Sequence, residues 1–142
     1  MAASTSSTVV PSFLGTWKTV SIQTSHAEIP HPESMISTYS SKDDGFEYTT
    51  EAAWSDGRKT RSHAFFRFDG GWYPATGSVL FDSLSARQLD DRSVEGRFKQ
   101  GGQEIGSQRA VFSEDGQTST AEWSLVGPGG ATITWKVVLN RG

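Results

Sequence analysis

Cysteine is absent from the 142-residue chain, which excludes disulfides, thiol nucleophiles and cysteine-held metals together. Apolar stretches of helical period are missing, and no hydrophobic run reaches the length of a membrane span. Histidine is scarce, with three in all. Charge is sparse and mixed, at 20% of residues with a formal net charge of −3. With no stripe of Lys and Arg, neither nucleic acid nor membrane is an expected partner. The opening MAASTSSTVVPS carries no basic segment and no apolar run of signal-peptide kind. Residues 1–11 therefore read as a disordered tail, residues 12–142 as one domain, and the compartment as cytoplasmic.

Turn chemistry, by contrast, is abundant. The 15 glycines recur in KDDG, SDGR, FDGG, KQGGQ, SEDGQ and GPGG, between stretches rich in Thr, Val and aromatics. Short strands separated by such turns indicate an all-β chain. Strands are expected near 15–23, 35–41, 45–54, 58–68, 83–89, 93–100, 103–113, 117–126 and 130–139. Eight to nine antiparallel strands of this kind suit a sandwich or a closed up-and-down barrel.

Register can be read from the hairpins, because directly opposed residues share a face. A three-residue loop at Ser55–Gly57 sets Phe46 against Phe66, Tyr48 against Ala64, Thr50 against Ser62 and Glu51 against Arg61. A Gly101-Gly102 turn sets Phe98 against Ile105. A three-residue Glu114–Gly116 loop sets Ser107 against Trp123 and Arg109 against Ala121. A Gly127–Gly129 loop then sets Trp123 against Ile133. One interior face collects Trp54, Phe66, Val111, Trp123 and Trp135, while Phe65, Leu89 and Phe112 fall outside. That outer face is compatible with a monomer or a weak homodimer.

The interior mixes large aromatics with Thr50, Ser62, Ser107 and several alanines, a composition that leaves room for a cavity. Arg109 is the one charge on this face. Buried alone it would cost several kcal/mol, so a carboxylate, a ligand oxyanion or the face of a tryptophan must answer it. Tyr48 either donates to the same ligand group or satisfies a strand end. His26 and His31 flank the prolines of SHAEIPHPES and either overhang a ligand or lie in a solvated loop; His63 faces outward. No metal cluster, paired carboxylates or hydrolytic triad emerges, and no cofactor is called for.

The Gly15-Thr16-Trp17 start of the first strand resembles that of lipocalins and the wider calycin barrels. The resemblance implies that Trp17 seals one barrel end under an arginine from the last strand. Arg141 is placed for that role, with Arg109 the weaker candidate; otherwise Trp17 is simply a core residue. FDGGWYPATGS and the segment from SARQLDD to SEDGQT are similar to small, mostly bacterial, lipocalin-like proteins, many of which look exported. The inward residues themselves suit a cavity for a small hydrophobic, oxygen-bearing molecule, walled by Trp54, Phe66, Trp123, Trp135, Thr50 and Ser62. Two functions follow from it. One is a cofactor-independent cyclase or isomerase of natural-product biosynthesis using Arg109, Tyr48 and His31; the other is a non-catalytic intracellular carrier.

Overall fold

A computed structural model describes residues 13–142; the expected tail, 1–11, lies outside the described residues. Ten strands form a closed antiparallel barrel in which each pairs with its sequence neighbours and the first closes on the last. They are β1 (Gly15–Thr24), β2 (Pro32–Lys42), β3 (Gly45–Trp54), β4 (Lys59–Phe66), β5 (Tyr73–Thr76), β6 (Ser83–Asp90), β7 (Ser93–Gln100), β8 (Gln103–Phe112), β9 (Thr118–Val126) and β10 (Thr132–Arg141). The expected eight to nine strands are corrected to ten by β5. This strand has four residues, contains Pro74, and shares only two paired positions with each neighbour.

Turns govern the registers. At Ser55–Gly57 the chain reverses with Gly57 at φ 92, and Phe46↔Phe66, Tyr48↔Ala64, Thr50↔Ser62 and Glu51↔Arg61 are the observed pairs. Gly101 and Gly102 both take positive φ, as a two-residue hairpin of matching twist requires. Beyond that turn the expected register fails. A bulge absorbs Ile105, so Phe98 opposes Gly106 rather than Ile105. An extra residue of this kind shifts every later side chain to the opposite face.

The next hairpin fits the shifted face. Its loop spans four residues, not three, because the Asp115 carboxylate accepts bonds from Ser113 Oγ (2.7 Å) and the Gln117 amide (3.0 Å). Gln108 then opposes Trp123 and Ala110 opposes Ala121. Arg109 and Val111 are consequently exposed, while Phe112 turns inward and is 5% exposed. The β9–β10 register differs from expectation by two, with Trp123 opposite Trp135, so its faces are preserved.

The two barrel ends are built differently. Around the strand starts and ends at Phe13, Lys42, Phe112 and Arg141, Phe13 packs on Tyr39, Phe46 and Phe68 at 5.1–5.7 Å between ring centres. Trp17 is 1% exposed and donates from Nε1 to the Phe13 carbonyl at 2.9 Å. The Arg141 guanidinium lies 4.4 Å from the Trp17 ring centre and donates to the carbonyls of Gly116 and Leu14. Gly15 has φ 116, and a Cβ there would sit 2.7 Å from Arg141 Nη1. Glycine precedes this tryptophan by two because the arginine covering the indole occupies the space of a side chain. The opposite end gathers the loops 25–31, 55–58, 77–82, 101–102 and 127–131.

Candidate ligand-binding site

Between the ends lies a cavity of about 140 Å³. Its first wall comes from β2, β3 and β4, whose alternate residues point inward. Ser37 Oγ and Thr50 Oγ1 share a hydrogen bond of 2.9 Å, and Tyr48 is held beside Ser62. Trp54 Nε1 donates to Thr60 Oγ1 at 2.9 Å. This wall is polar but internally satisfied. Burial raises the Tyr48 phenol well above its ordinary pKa, with the Ser62 hydrogen bond opposing. Burial likewise raises Tyr39 to about 12, offset in part by Ser37. Both phenols are therefore neutral donors across the physiological range.

The facing wall is a run of rings. Phe81 meets Phe98 at 4.4 Å, Phe98 stacks on Trp123 at 4.9 Å and 9°, and Trp123 leads to Trp135 at 6.0 Å. Trp135 in turn meets Trp54 edge-on at 6.1 Å. Phe81 belongs to the 77–82 loop rather than to a strand. Gly77, at φ 80, lets that loop pass against the Arg61 carbonyl, where a Cβ would lie 1.9 Å away. Ser78 Oγ then accepts the Leu80 and Phe81 amides and turns Phe81 inward. Nothing in strand periodicity signals a buried loop phenylalanine.

Trp54, Phe66, Trp123, Trp135, Thr50, Ser62 and Tyr48 all line the cavity. Arg109 does not. It stands on the outer surface between Glu95 of β7 and Glu122 of β9, where opposite charge comes from both neighbouring strands. The expected anion anchor is thus withdrawn, and Ser107 leaves the interior with it. His31 sits in the 25–31 loop, at the end opposite Trp17. Its Nδ1 is bonded to the Ile29 carbonyl at 2.8 Å, and it is not part of the cavity wall. His63 bonds Glu47 on the outer surface at 2.9 Å.

Three interior residues of β8 escaped the expected register, Gln108, Ala110 and Phe112, and all line the cavity. The signal that could have found them is the parity of β8. Gly106, Gln108, Ala110 and Phe112 form an uncharged face, whereas the alternative buries a guanidinium.

No protein-family model matches the chain, and no curated protein matches it. Among solved structures it is similar to EF1p2_mFAP2b bound to DFHBI, at a TM-score of 0.55 and 8% identity over 95% of this chain and 98% of that one. A second, the siderocalin Ex-FABP, described as functioning through dual ligand specificities, superposes at a TM-score of 0.43 and 12% identity over 92% and 74% of the two chains. The ten-stranded closure, the alternating interior and the first of these likenesses agree on architecture: the chain folds as a small, closed, antiparallel up-and-down β-barrel.

Proposed function

We propose that the barrel binds a small hydrophobic molecule bearing an oxygen function. The observation that carries this reading is the cavity itself, enclosed by aromatic rings on one side and by fixed neutral hydroxyls on the other. Apolar walls with a few placed polar groups are the usual make-up of a small-molecule site. The EF1p2_mFAP2b likeness supports the reading, since that barrel was solved with a small molecule bound.

A second reading, a cofactor-independent cyclase or isomerase, draws on the Tyr48 phenol inside the same chamber. A neutral donor held away from bulk water can polarise a carbonyl, while the walls hold a flexible substrate near its reactive shape. Of the three side chains first assigned to catalysis, Tyr48 alone reaches the cavity, so this reading relies on shape with one donor and not on acid–base exchange. The carrier reading needs neither. Native mass spectrometry of the protein purified from its source, followed by solvent extraction, tests both. A co-purifying hydrophobic molecule returned unchanged on incubation supports carriage; one converted to an isomer supports catalysis. An empty protein that also takes up nothing from a source-cell extract would defeat the proposal.

A further inference from the structure

Among the described residues, Gln108 carries the only side-chain amide on the cavity wall. One rung of the barrel runs Ala86–Gly96–Gln108–Trp123 across β6, β7, β8 and β9, and all four residues line the chamber. Ala86 and Gly96 give that rung almost no bulk. A Cβ at Gly96 would meet nothing nearer than the Phe98 ring at 3.5 Å, with Gln108 Oε1 next at 3.7 Å. The amide therefore leans over Gly96, into the room that the small residues leave. Among the described residues it makes no hydrogen bond, and neither its oxygen nor its nitrogen is closed to a neighbour of water's size.

The opposite wall does not answer this group. β3 stands five places from β8 round the closure, and the hydroxyls there engage one another, Ser37 with Thr50 and Tyr48 with Ser62. An amide sets a donor and an acceptor side by side in one plane. Leaving both unmet away from bulk water is costly. A water molecule meets the two ends singly, whereas a molecule with an N–H beside a carbonyl meets them together.

The surroundings narrow the ligand further. Trp123 opposes Gln108 on β9 and stacks on Phe98 at 4.9 Å, so flat rings flank the amide. No cationic side chain among the described residues lines the cavity, and the Glu95 carboxylate is engaged by Arg87 at 2.7 Å. An ionised ligand would be buried without a counter-charge. A dry cavity of about 150 Å³ takes one benzene, and this one measures about 140 Å³.

From this arrangement we infer that Gln108 selects the ligand, a neutral ring compound with an N–H beside a carbonyl, as in a lactam, which pairs with the amide through two hydrogen bonds. This rests on the binding reading above and names the group that decides affinity within it. A bare ketone or ether meets one end of the amide and leaves the other unmet.

Calorimetric titrations of the full chain with α-pyridone, N-methyl-α-pyridone and benzene test the pairing. The first presents the double edge, the second keeps the carbonyl alone, and benzene reports occupancy of the chamber by an apolar ring. α-Pyridone is expected to bind about tenfold tighter than its N-methyl derivative, the scale of one hydrogen bond made against one amide end left unmet. Gln108→Leu should weaken α-pyridone about tenfold and bring the two pyridones within about twofold of each other. Amide-proton resonances of the unaltered protein give a readout that needs no variant: α-pyridone should move the Gln108 side-chain signals downfield, and benzene should not. Equal affinities of the two pyridones would overturn the inference and leave the amide to water. A preference that persists in Gln108→Leu would mark a clash with the methyl group and defeat it as well, as would unmoved Gln108 signals at saturating α-pyridone. Benzene bound with both pyridones refused removes the lactam edge but keeps the binding reading. Failure of all three probes also removes the edge, and it reaches the binding reading only if extraction and uptake from source-cell extract come back empty.

Discussion

Replacing Arg141 by methionine keeps most of the aliphatic stem and removes the charge that covers Trp17. Three interactions go with it: the stack on the indole at 4.4 Å and the donations to the Gly116 and Leu14 carbonyls. A partly desolvated cation–π contact contributes about 1–2 kcal/mol. Each charge-assisted hydrogen bond contributes roughly 1.5 kcal/mol at the low end suited to a half-buried site where water can replace the donor. The expected loss is therefore about 4–5 kcal/mol, which lowers the melting temperature of a chain this size by about 10–20 °C. Arg141→Lys should recover little, since a point charge cannot span two carbonyls and a ring together.

Urea unfolding followed by tryptophan fluorescence measures these changes, and a double-mutant cycle with Gly15→Ala isolates the geometry. Alone, Gly15→Ala strains a residue at φ 116 and collides with Nη1. In the Arg141→Met background only the backbone strain, of order 1–3 kcal/mol, should remain. The two substitutions are thus expected to be less than additive, by about 1 kcal/mol. Strict additivity, or an Arg141→Met protein with unaltered stability, would refute the account of why glycine stands two residues before the tryptophan.

Two further outcomes follow from the site. Arg109→Leu is expected to leave ligand affinity within about twofold, because its side chain is on the outer surface opposite Glu95 and Glu122; a tenfold loss in calorimetric titration would return it to the interior. Alkaline pH should destabilise the fold. The buried Tyr39 phenol titrates at about 12 against 10.0 in its unperturbed state, so the unfolded chain loses that proton first. Stability is then fully present below pH 10 and declines up to about pH 12, by on the order of 2–3 kcal/mol. Tyr39→Phe should shrink this decline in urea titrations at successive pH values and leave the part that the likewise buried Tyr48 contributes; an unchanged slope would show that Tyr39 ionises as freely folded as unfolded.

Much of the barrel was legible because its turns carry explicit chemistry. Ser55-Asp56-Gly57 admits a left-handed glycine at the end of a three-residue loop, and the whole β3–β4 register follows from it. That register placed Tyr48, Thr50, Ser62 and Phe66 on one wall, where the structure has them. β5 was not legible: Pro74 weakens any strand assignment, and a four-residue strand paired at two positions per side gives periodicity too little length to register. Phe81 was hidden for another reason. Its inward turn depends on Gly77 lying on the Arg61 backbone, a long-range contact with no local signature.

The β8 error shows how one unpaired residue decides a functional reading. A bulge leaves no turn residue in the sequence, so turn chemistry alone pairs Ile105 with Phe98 and sets the strand one step out of phase. That slip exchanged Gln108 for Arg109 inside the barrel, and with it a neutral amide for a fixed cation. The energetics could have arbitrated. The out-of-phase face buries a guanidinium opposite an alanine and exposes Phe112, whereas the true face buries Phe112 and sets Arg109 between two glutamates. A solvated surface charge with buried rings prevails over a lone interior charge by several kcal/mol. The loop at Asp115 obeys the same preference, since a fourth residue there keeps β9 in phase with the shifted β8. Bulge and lengthened loop are therefore one solution to one constraint, an uncharged interior.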